Sequence, residues 1–298
     1  MQGIAPRAVL VTRETDYEAL LARHATREQA RFFLESRGQS LETLEARHET
    51  LQAALRQVRA AIPLDWRRSL IRRHDLDCFL FGPEDVVVAV GQDGLVANLA
   101  KYLDGQPVLG VNPEPEVNPG VLVPLAPKAA GALLLPAARG QADFEPRTMA
   151  EARLDDGQSL LALNEIFIGH RSHQSARYQL ARDGQAEEQS SSGIIVATGT
   201  GATGWARSIM ESRGVALDLD PMAHELGFFV REPWPSATTG TALSLGRLRD
   251  GAALDVLWHM QSGGTVFADG IEADHLGFDW GRRLEVRTAE RRLNLVRG

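Results

Sequence analysis

The run Val86-Val87-Val88-Ala89-Val90, preceded by Asp85 and followed at once by Gly91-Gln92-Asp93-Gly94, restricts the fold more than any other stretch of this chain. An unbroken, mostly β-branched apolar run without alternation suits a strand buried on both faces, as in a parallel sheet covered by helices. Leu95, Leu99 and Leu103 then recur at helical spacing, and Pro107-Val108-Leu109-Gly110-Val111 reads as the next strand. Strand, glycine loop, helix and strand make a βαβ unit, so the first part of the chain is α/β.

Upstream, Ala8-Val9-Leu10-Val11-Thr12 reads as a core strand rather than the apolar region of a signal peptide. Thr26 and Gln29 stand at capping-box spacing before a helical segment holding Phe32, Phe33 and Leu34. Leu41, Leu44, His48, Leu51, Leu55 and Val58 fall on one face of a longer helix that Pro63 ends. Pro113, Pro115, Pro119, Pro124 and Pro127 crowd one stretch, which marks a connection, and the domain border is expected there. Beyond it strand-like runs dominate, at 133–135, 149–154, 160–168, 176–180, 194–197, 226–230, 254–259 and 284–287. The expected architecture is an α/β domain over 1–124 with a Rossmann-like parallel sheet, and a mostly β domain over 125–298. The C-terminal tail is expected to pack back on the first domain.

With 298 residues, 44% hydrophobic and 24% charged, the chain has enough apolar material for two globular cores. A formal net charge of −7 argues against a protein whose task is to grip nucleic acid, since that requires neutralising many phosphates. The lone Cys78 has no disulfide partner, which fits a reducing compartment, and it is expected to be a small buried apolar residue. No apolar run approaches membrane-spanning length, so a cytoplasmic protein without membrane contact is expected.

Three segments carry candidate chemistry. Gly91-Gln92-Asp93-Gly94 sits between a strand and a helix, where open α/β sheets bind ligands and helix N-termini attract anions. Its glycines admit close approach of phosphate, and Asp93 could accept a proton from a hydroxyl nucleophile; the same residues also suit an Asp-Gly turn with Asp93 capping the helix. Asn164-Glu165 interrupts the apolar run 160–168. Placed in mid-strand, the two polar side chains would face opposite sides of the sheet, and the hydroxyls of a bound sugar would satisfy both, as would neighbouring backbone at a sheet edge. The third segment, Thr198-Gly199-Thr200-Gly201-Ala202-Thr203-Gly204-Trp205, follows the strand-like 194–197. Its glycines match a dinucleotide fingerprint with Asp218 near the end of a following strand-like 215–219; a P-loop is excluded because Trp205-Ala206 stands where Lys-Ser/Thr is needed. His170 and His173 have metal-like spacing but lack a clear third ligand, and Asp269-Gly270 reads first as a hairpin turn, with ligand contact as the lesser reading.

In this order the three segments resemble the signatures of the NAD kinase family: a Gly-Gly-Asp-Gly-Thr loop, an Asn-Glu pair and a Thr-Pro-Thr-Gly-Ser-Thr-Ala-Tyr loop. Leu163-Asn164-Glu165-Ile166-Phe167-Ile168-Gly169, Ser191-Ser192-Gly193, Arg231-Glu232-Pro233 and Val108-Leu109-Gly110-Val111-Asn112 look closest to its mitochondrial-type branch. The likeness runs from about residue 7 to residue 290. It implies a two-domain fold with the active site in the cleft between the domains. The reaction would move the γ-phosphate of ATP, or of another donor such as polyphosphate, to the 2′-hydroxyl of NAD(H). Asp93 would be the general base, and Gly91, Gln92 and Gly94 would line the donor phosphates. Asn112, Asn164, Glu165, Thr200, Thr203 and Trp205 would hold NAD, with magnesium accompanying ATP. A homodimer is expected. The chain departs from the family loop at Gln92, which replaces its second glycine, and at Leu95, which replaces its threonine. Two other readings stay open: a catalytically impaired dinucleotide-binding sensor of the same fold, and a Rossmann-type oxidoreductase built on residues 199–218.

Overall fold

A computed structural model describes residues 5–117, 119–249 and 251–298. The chain divides into two compact units, residues 1–145 with 294–298, and residues 146–293. The division falls after residue 145 rather than at the expected border at 124, because the segment after the prolines is a helix that packs within the first unit.

The first unit contains β1 (Arg7–Thr12), α1 (Asp16–His24), α2 (Arg27–Glu35), α3 (Leu41–Ala61), β2 (Arg67–Arg72), β3 (Asp85–Val90), α4 (Asp93–Ala100), β4 (Pro107–Val111) and α5 (Pro127–Ala138). Its strands pair in parallel in the order β2-β1-β3-β4. Each residue of β3 is buried, Val86, Val88 and Val90 in a core shared with α3 and α5 and Val87 and Ala89 on the opposite face. That burial accounts for the missing alternation. Asn294 and Leu295 at the chain's end pair in parallel with Pro107 and Val108 of β4.

Residues 133–135, read as strand-like, lie instead within α5. Pro127 starts this helix at a position where its missing N–H costs nothing, and the Ala/Leu-rich stretch that follows buries Ala130, Leu134 and Ala137 on one face. The three consecutive leucines were too short a run to show a period. Cys78 is exposed, not buried, and a hydrogen bond to the neighbouring Asp77 carboxylate, with its charge, raises the thiol pKa. Thr26 caps α2, its hydroxyl accepting the N–H of Gln29. α1 carries a full capping box between Thr15 and Glu18.

The second unit is built from β5 (Phe144–Leu154), β6 (Ser159–Ala162), β7 (Glu165–His170), β8 (Ala176–Arg182), β9 (Gln185–Ser191), β10 (Ile194–Ala197), α6 (Trp205–Arg213), β11 (Leu226–Val230), β12 (Leu245–Leu248), β13 (Leu254–Trp258), β14 (Gly264–Ala268), β15 (His275–Phe278) and β16 (Arg283–Val296). One antiparallel sheet has the order β12-β11-β10-β7-β14-β15, and β16, β13, β8 and β9 pair in a second. Alternation works on both faces of the first sheet. Ile166, Ile168, Ile194, Val196, Phe228 and Val230 face the core shared with Tyr178, Val256 and Trp258, whereas Phe167, Ile195, Ala197 and Phe229 face α6. Among the described residues no helix is long and apolar enough to cross a membrane.

An ion pair fixes the start of the parallel sheet. Asp85 is buried at the first residue of β3 and accepts from Arg7 Nε at 2.8 Å, Arg7 Nη2 at 2.5 Å and the N–H of Gly82 at 2.7 Å. Arg7 opens β1, opposite Asp85 in the register. Removing one member of such a pair strands the other, so Asp85→Ala is expected to cost about 3 kcal/mol in urea unfolding. A loss within ±0.5 kcal/mol would show that this pair does not hold the two strands.

Candidate functional site

The strand order β2-β1-β3-β4 contains a switch point. From β1 the chain passes through its helices to β2 on one side, whereas β3 and β4 extend the sheet on the other. Loops leaving β1 and β3 at their carboxyl ends therefore diverge and open a crevice, the usual ligand position in such sheets. A cavity of about 170 Å³ occurs there, lined by Arg13 and Thr15 after β1, Gly91 and Gln92 after β3, Pro113 and Glu114 after β4, and Arg47 and His48 of α3. Among the described residues neither Arg13 nor Arg47 forms an ion pair or side-chain hydrogen bond, so both cations are available to an anion. His48 was expected on the apolar face of its helix. It is half-buried, and its Nδ1 lies 3.0 Å from Thr15 Oγ1, tying α3 to the loop after β1.

Gln92 has φ −106° and ψ 168°, an extended conformation open to any residue. The glycine of the family pattern is therefore not needed here for its backbone angle. Leu95 is buried, and its Cδ2 would stand 3.2 Å from a side chain added at Gly91. Asp93 does not cap α4. It is the helix's first residue, and its carboxylate reaches away to accept the N–H of Val121 at 2.9 Å and of Leu122 at 2.8 Å. The strand side of this segment is equally tight, since a Cβ at Gly110 would meet the Leu122 carbonyl oxygen at 1.8 Å. Asn112, buried just beyond β4, uses Oδ1 to accept the N–H of Glu114.

The second unit gathers its own group of residues. Asn164 and Glu165 are not in mid-strand as expected: β6 stops at Ala162, the chain bends at 163–164, and β7 begins at Glu165. The bend leaves main-chain groups without ladder partners, and two other segments supply them. Asp269 accepts the N–H groups of Leu163, Asn164 and Glu165, while Thr198 donates its hydroxyl to the Leu163 carbonyl at 2.5 Å and its N–H to the Asn164 carbonyl at 2.9 Å. The loop after β10 presses so closely on the bend that a Cβ at Gly201 would lie 2.1 Å from the Asn164 carbonyl oxygen.

With their main chain so held, the Asn164 amide and the Glu165 carboxylate make no side-chain hydrogen bond among the described residues. Burial pushes the Glu165 carboxyl up to about 7, and the neighbouring Asp269 carboxylate adds to the rise. Thr200 is buried and accepts from Arg147 Nη1 at 3.3 Å. Thr203 turns its hydroxyl back to the Thr200 carbonyl at 3.0 Å. The Trp205 ring lies parallel to Phe167, with centroids 6.0 Å apart, and the Arg231 guanidinium stands 5.2 Å from its centre.

The glycines 199, 201 and 204 do not form a dinucleotide fingerprint of the Rossmann type. β10 runs between the antiparallel neighbours β7 and β11, and residues 215–219 form no strand. The oxidoreductase reading loses both its parallel sheet and the strand that would present Asp218. His170 and His173 belong to no group of three possible metal ligands among the described residues. Arg13, Arg47, Arg147 and the clamp made by Asp269 escaped the sequence reading. Arg13 alone left a signal, as the first residue beyond an apolar strand.

No known family model matches the chain. Over 127 residues it is 35% identical to an NAD kinase of Methanoregula boonei, a stretch covering 42% of this chain and 46% of that one. Over 151 residues it is 34% identical to an NAD kinase of Marinomonas sp., covering 46% and 50%. The chain thus spans about half the length of the curated relatives it matches. Two solved structures cover nearly all of it. One is an NAD kinase from Archaeoglobus fulgidus in complex with ATP, with TM-score 0.59, 18% identity and coverage of 98% of this chain and 93% of that one. The other is yeast NADH kinase complexed with NADH, with TM-score 0.60, 16% identity and coverage of 100% and 84%. The chain is similar in sequence to NAD kinases and has the two-unit NAD kinase fold.

Glu165 supplies a test that needs no ligand. In the unfolded chain its carboxyl titrates near the ordinary 4.5, against about 7 when folded. The folded state thus binds the extra proton between these values, and stability falls as pH rises across that window and levels above it. Glu165→Gln, which carries no charge to bury, is expected to melt at a higher temperature than the parent at pH 8, with the gap shrinking towards pH 5. An equal gap at both values would sink the assignment.

Proposed function

We propose that this chain is an NAD kinase, moving the terminal phosphate of ATP or inorganic polyphosphate to the 2′-hydroxyl of the adenosine ribose of NAD(H) to give NADP(H). The observation that carries the reading is the bend at Asn164 and Glu165. There an amide and a carboxylate, both without a protein partner among the described residues, stand beside a loop of small residues. Ribose hydroxyls both donate and accept, so they match this pair, and burying the carboxylate against such donors offsets its desolvation.

In the proposed reaction Asp93 takes the proton of the 2′-hydroxyl as that oxygen attacks the terminal phosphorus. The bond to the bridging oxygen breaks, and ADP or the shortened polyphosphate leaves. The N–H groups of Val121 and Leu122 fix the orientation of the Asp93 carboxylate. Gly91, Gln92 and Gly94 would offer main chain to the donor's phosphates, and Arg13 and Arg47 would supply the charge that Leu95 and Gln92 do not. Asn112, Thr200, Thr203 and Trp205 complete the proposed dinucleotide contacts. Magnesium enters as part of the MgATP substrate, since this ion is commonly held by phosphates and one or two carboxylates. The resemblance of residues 163–169, 191–193 and 231–233 to the mitochondrial-type branch belongs to the same proposal, as do a homodimeric assembly and a cytoplasmic setting.

The test supplies NAD, ATP and magnesium and follows NADP with an NADP-specific dehydrogenase. Asp93→Asn is expected to lower the rate by about 100-fold or more. Arg13→Ala with Arg47→Ala is expected to raise the KM for ATP about tenfold while leaving the KM for NAD unchanged. If NAD binds but neither ATP nor polyphosphate yields NADP, the chain is a dinucleotide sensor and the kinase proposal fails.

A further inference from the structure

Asp269 follows β14 with φ 50°, a left-handed conformation that aspartate adopts more readily than most residues and that Asp183 shares in the turn between β8 and β9; what sets Asp269 apart is its surroundings. Its surroundings are the bend before β7. Oδ1 accepts the N–H of Asn164 at 2.7 Å and of Glu165 at 3.2 Å, Oδ2 accepts the N–H of Leu163 at 3.0 Å, and its own N–H donates to the Glu165 carbonyl at 3.0 Å. A neutral turn residue could close the hairpin. Gathering three amides onto one side chain calls for two acceptor oxygens, and a full negative charge shortens and strengthens each bond. That charge sits beside a second carboxylate, Glu165, in a partly buried site, an arrangement that works against folding unless it serves a ligand.

We infer that Asp269 is a positioning residue for the dinucleotide: it holds residues 163–165 so that the Asn164 amide and Glu165 carboxylate meet the ribose hydroxyls, and its charge makes that binding depend on pH. The inference rests on the proposed dinucleotide site and adds to it a residue that touches no ligand. The turn after β14 carries Asp269, Glu272 and Asp274, with His275 opening β15; Arg147 donates to Thr200 in the loop after β10, and α6 beyond that loop carries Arg207 and Glu211. Of these, Asp269 is the one that acts on the Glu165 carboxyl, after burial itself. Hydroxyl donors bind the ionised carboxylate better than the protonated one. NAD affinity therefore rises with pH as Glu165 loses its proton near about 7.

The experiment is calorimetric titration of the full chain with NAD, and separately with MgATP, between about pH 5.5 and 8.5. Asp269→Asn keeps the size of the side chain but removes its charge and one of its two acceptor oxygens. It is expected to weaken NAD binding at pH 8 about tenfold and to move the midpoint of the pH dependence to lower pH, while MgATP binding is unchanged. Asp269→Ala should weaken NAD binding further, and Glu165→Gln should bind NAD with no pH dependence across the range. Melting curves show whether each variant folds. Should Asp269→Ala not fold, Asp269→Asn and Glu165→Gln still decide the matter. An unmoved midpoint in Asp269→Asn, a pH dependence that survives in Glu165→Gln, or a parallel loss of NAD and MgATP binding overturns the inference. A parent chain that binds MgATP but no dinucleotide overturns the proposed function, and the inference with it.

Discussion

A strand that bends inside a buried sheet leaves main-chain amides and carbonyls that the ladder cannot reach, and in a dry interior each must be answered. The bend at 163–164 is such a place, and the arrangement of the second unit around it follows from how it is answered. Asp269 reaches it from the end of β14 and Thr198 from the end of β10, so segments far apart in sequence are tied to one point. Once Thr198 is fixed, the loop after it lies against Asn164 with no room for a side chain at Gly201, and α6 starts where Trp205 can lie parallel to Phe167. The polar residues of the bend are therefore presented by rigid neighbours, which is what a recognition site requires.

The first unit meets a different constraint with a comparable result. Parallel strands need long crossovers, and wherever successive crossovers leave in opposite directions the sheet opens at its carboxyl edge. The Arg7–Asp85 pair sets β1 and β3 side by side at their amino ends, so the loops carrying Arg13 and Gly91 emerge together at the other. Helix α3 closes the crevice and brings Arg47 and His48 to it. Arg13 and Arg47 line the crevice together with Asp16 and Glu114, and neither arginine is paired with an acidic side chain among the described residues.

Periodicity carried most of the architecture. The unbroken run of β3 announced a strand buried on both faces, and the three- and four-residue steps from Leu41 to Val58 announced α3, because burial on a defined face writes itself into the sequence. Short apolar triplets carry no such record, so residues 133–135 passed for strand until the helix around them was visible. The site was legible only as residue types. That Asn164 and Glu165 require an explanation could be read from polar residues in an apolar run. That the explanation includes Asp269 could not, since its three amide partners lie over a hundred residues away and the Asp-Gly dipeptide is an ordinary turn signal. Cys78 failed for a related reason: small apolar residues are buried on average, and no local pattern marks the exception.

Geometry accounts for the two departures from the family pattern in the loop after β3. A glycine is irreplaceable where the backbone turns left-handed or another chain passes too close. Gln92 is in neither position, since its backbone is extended. Leu95 exchanges a hydroxyl for packing: it lies buried over Gly91 and stiffens the start of α4 at the expense of a donor. A loop so altered holds its shape, loses one hydroxyl and gains the neutral Gln92 amide, and an anion placed there must find its countercharge elsewhere. Arg13 and Arg47 line the same cavity, without partners among the described residues, so the proposed donor site shifts the handling of phosphate from loop hydroxyl to flanking guanidinium.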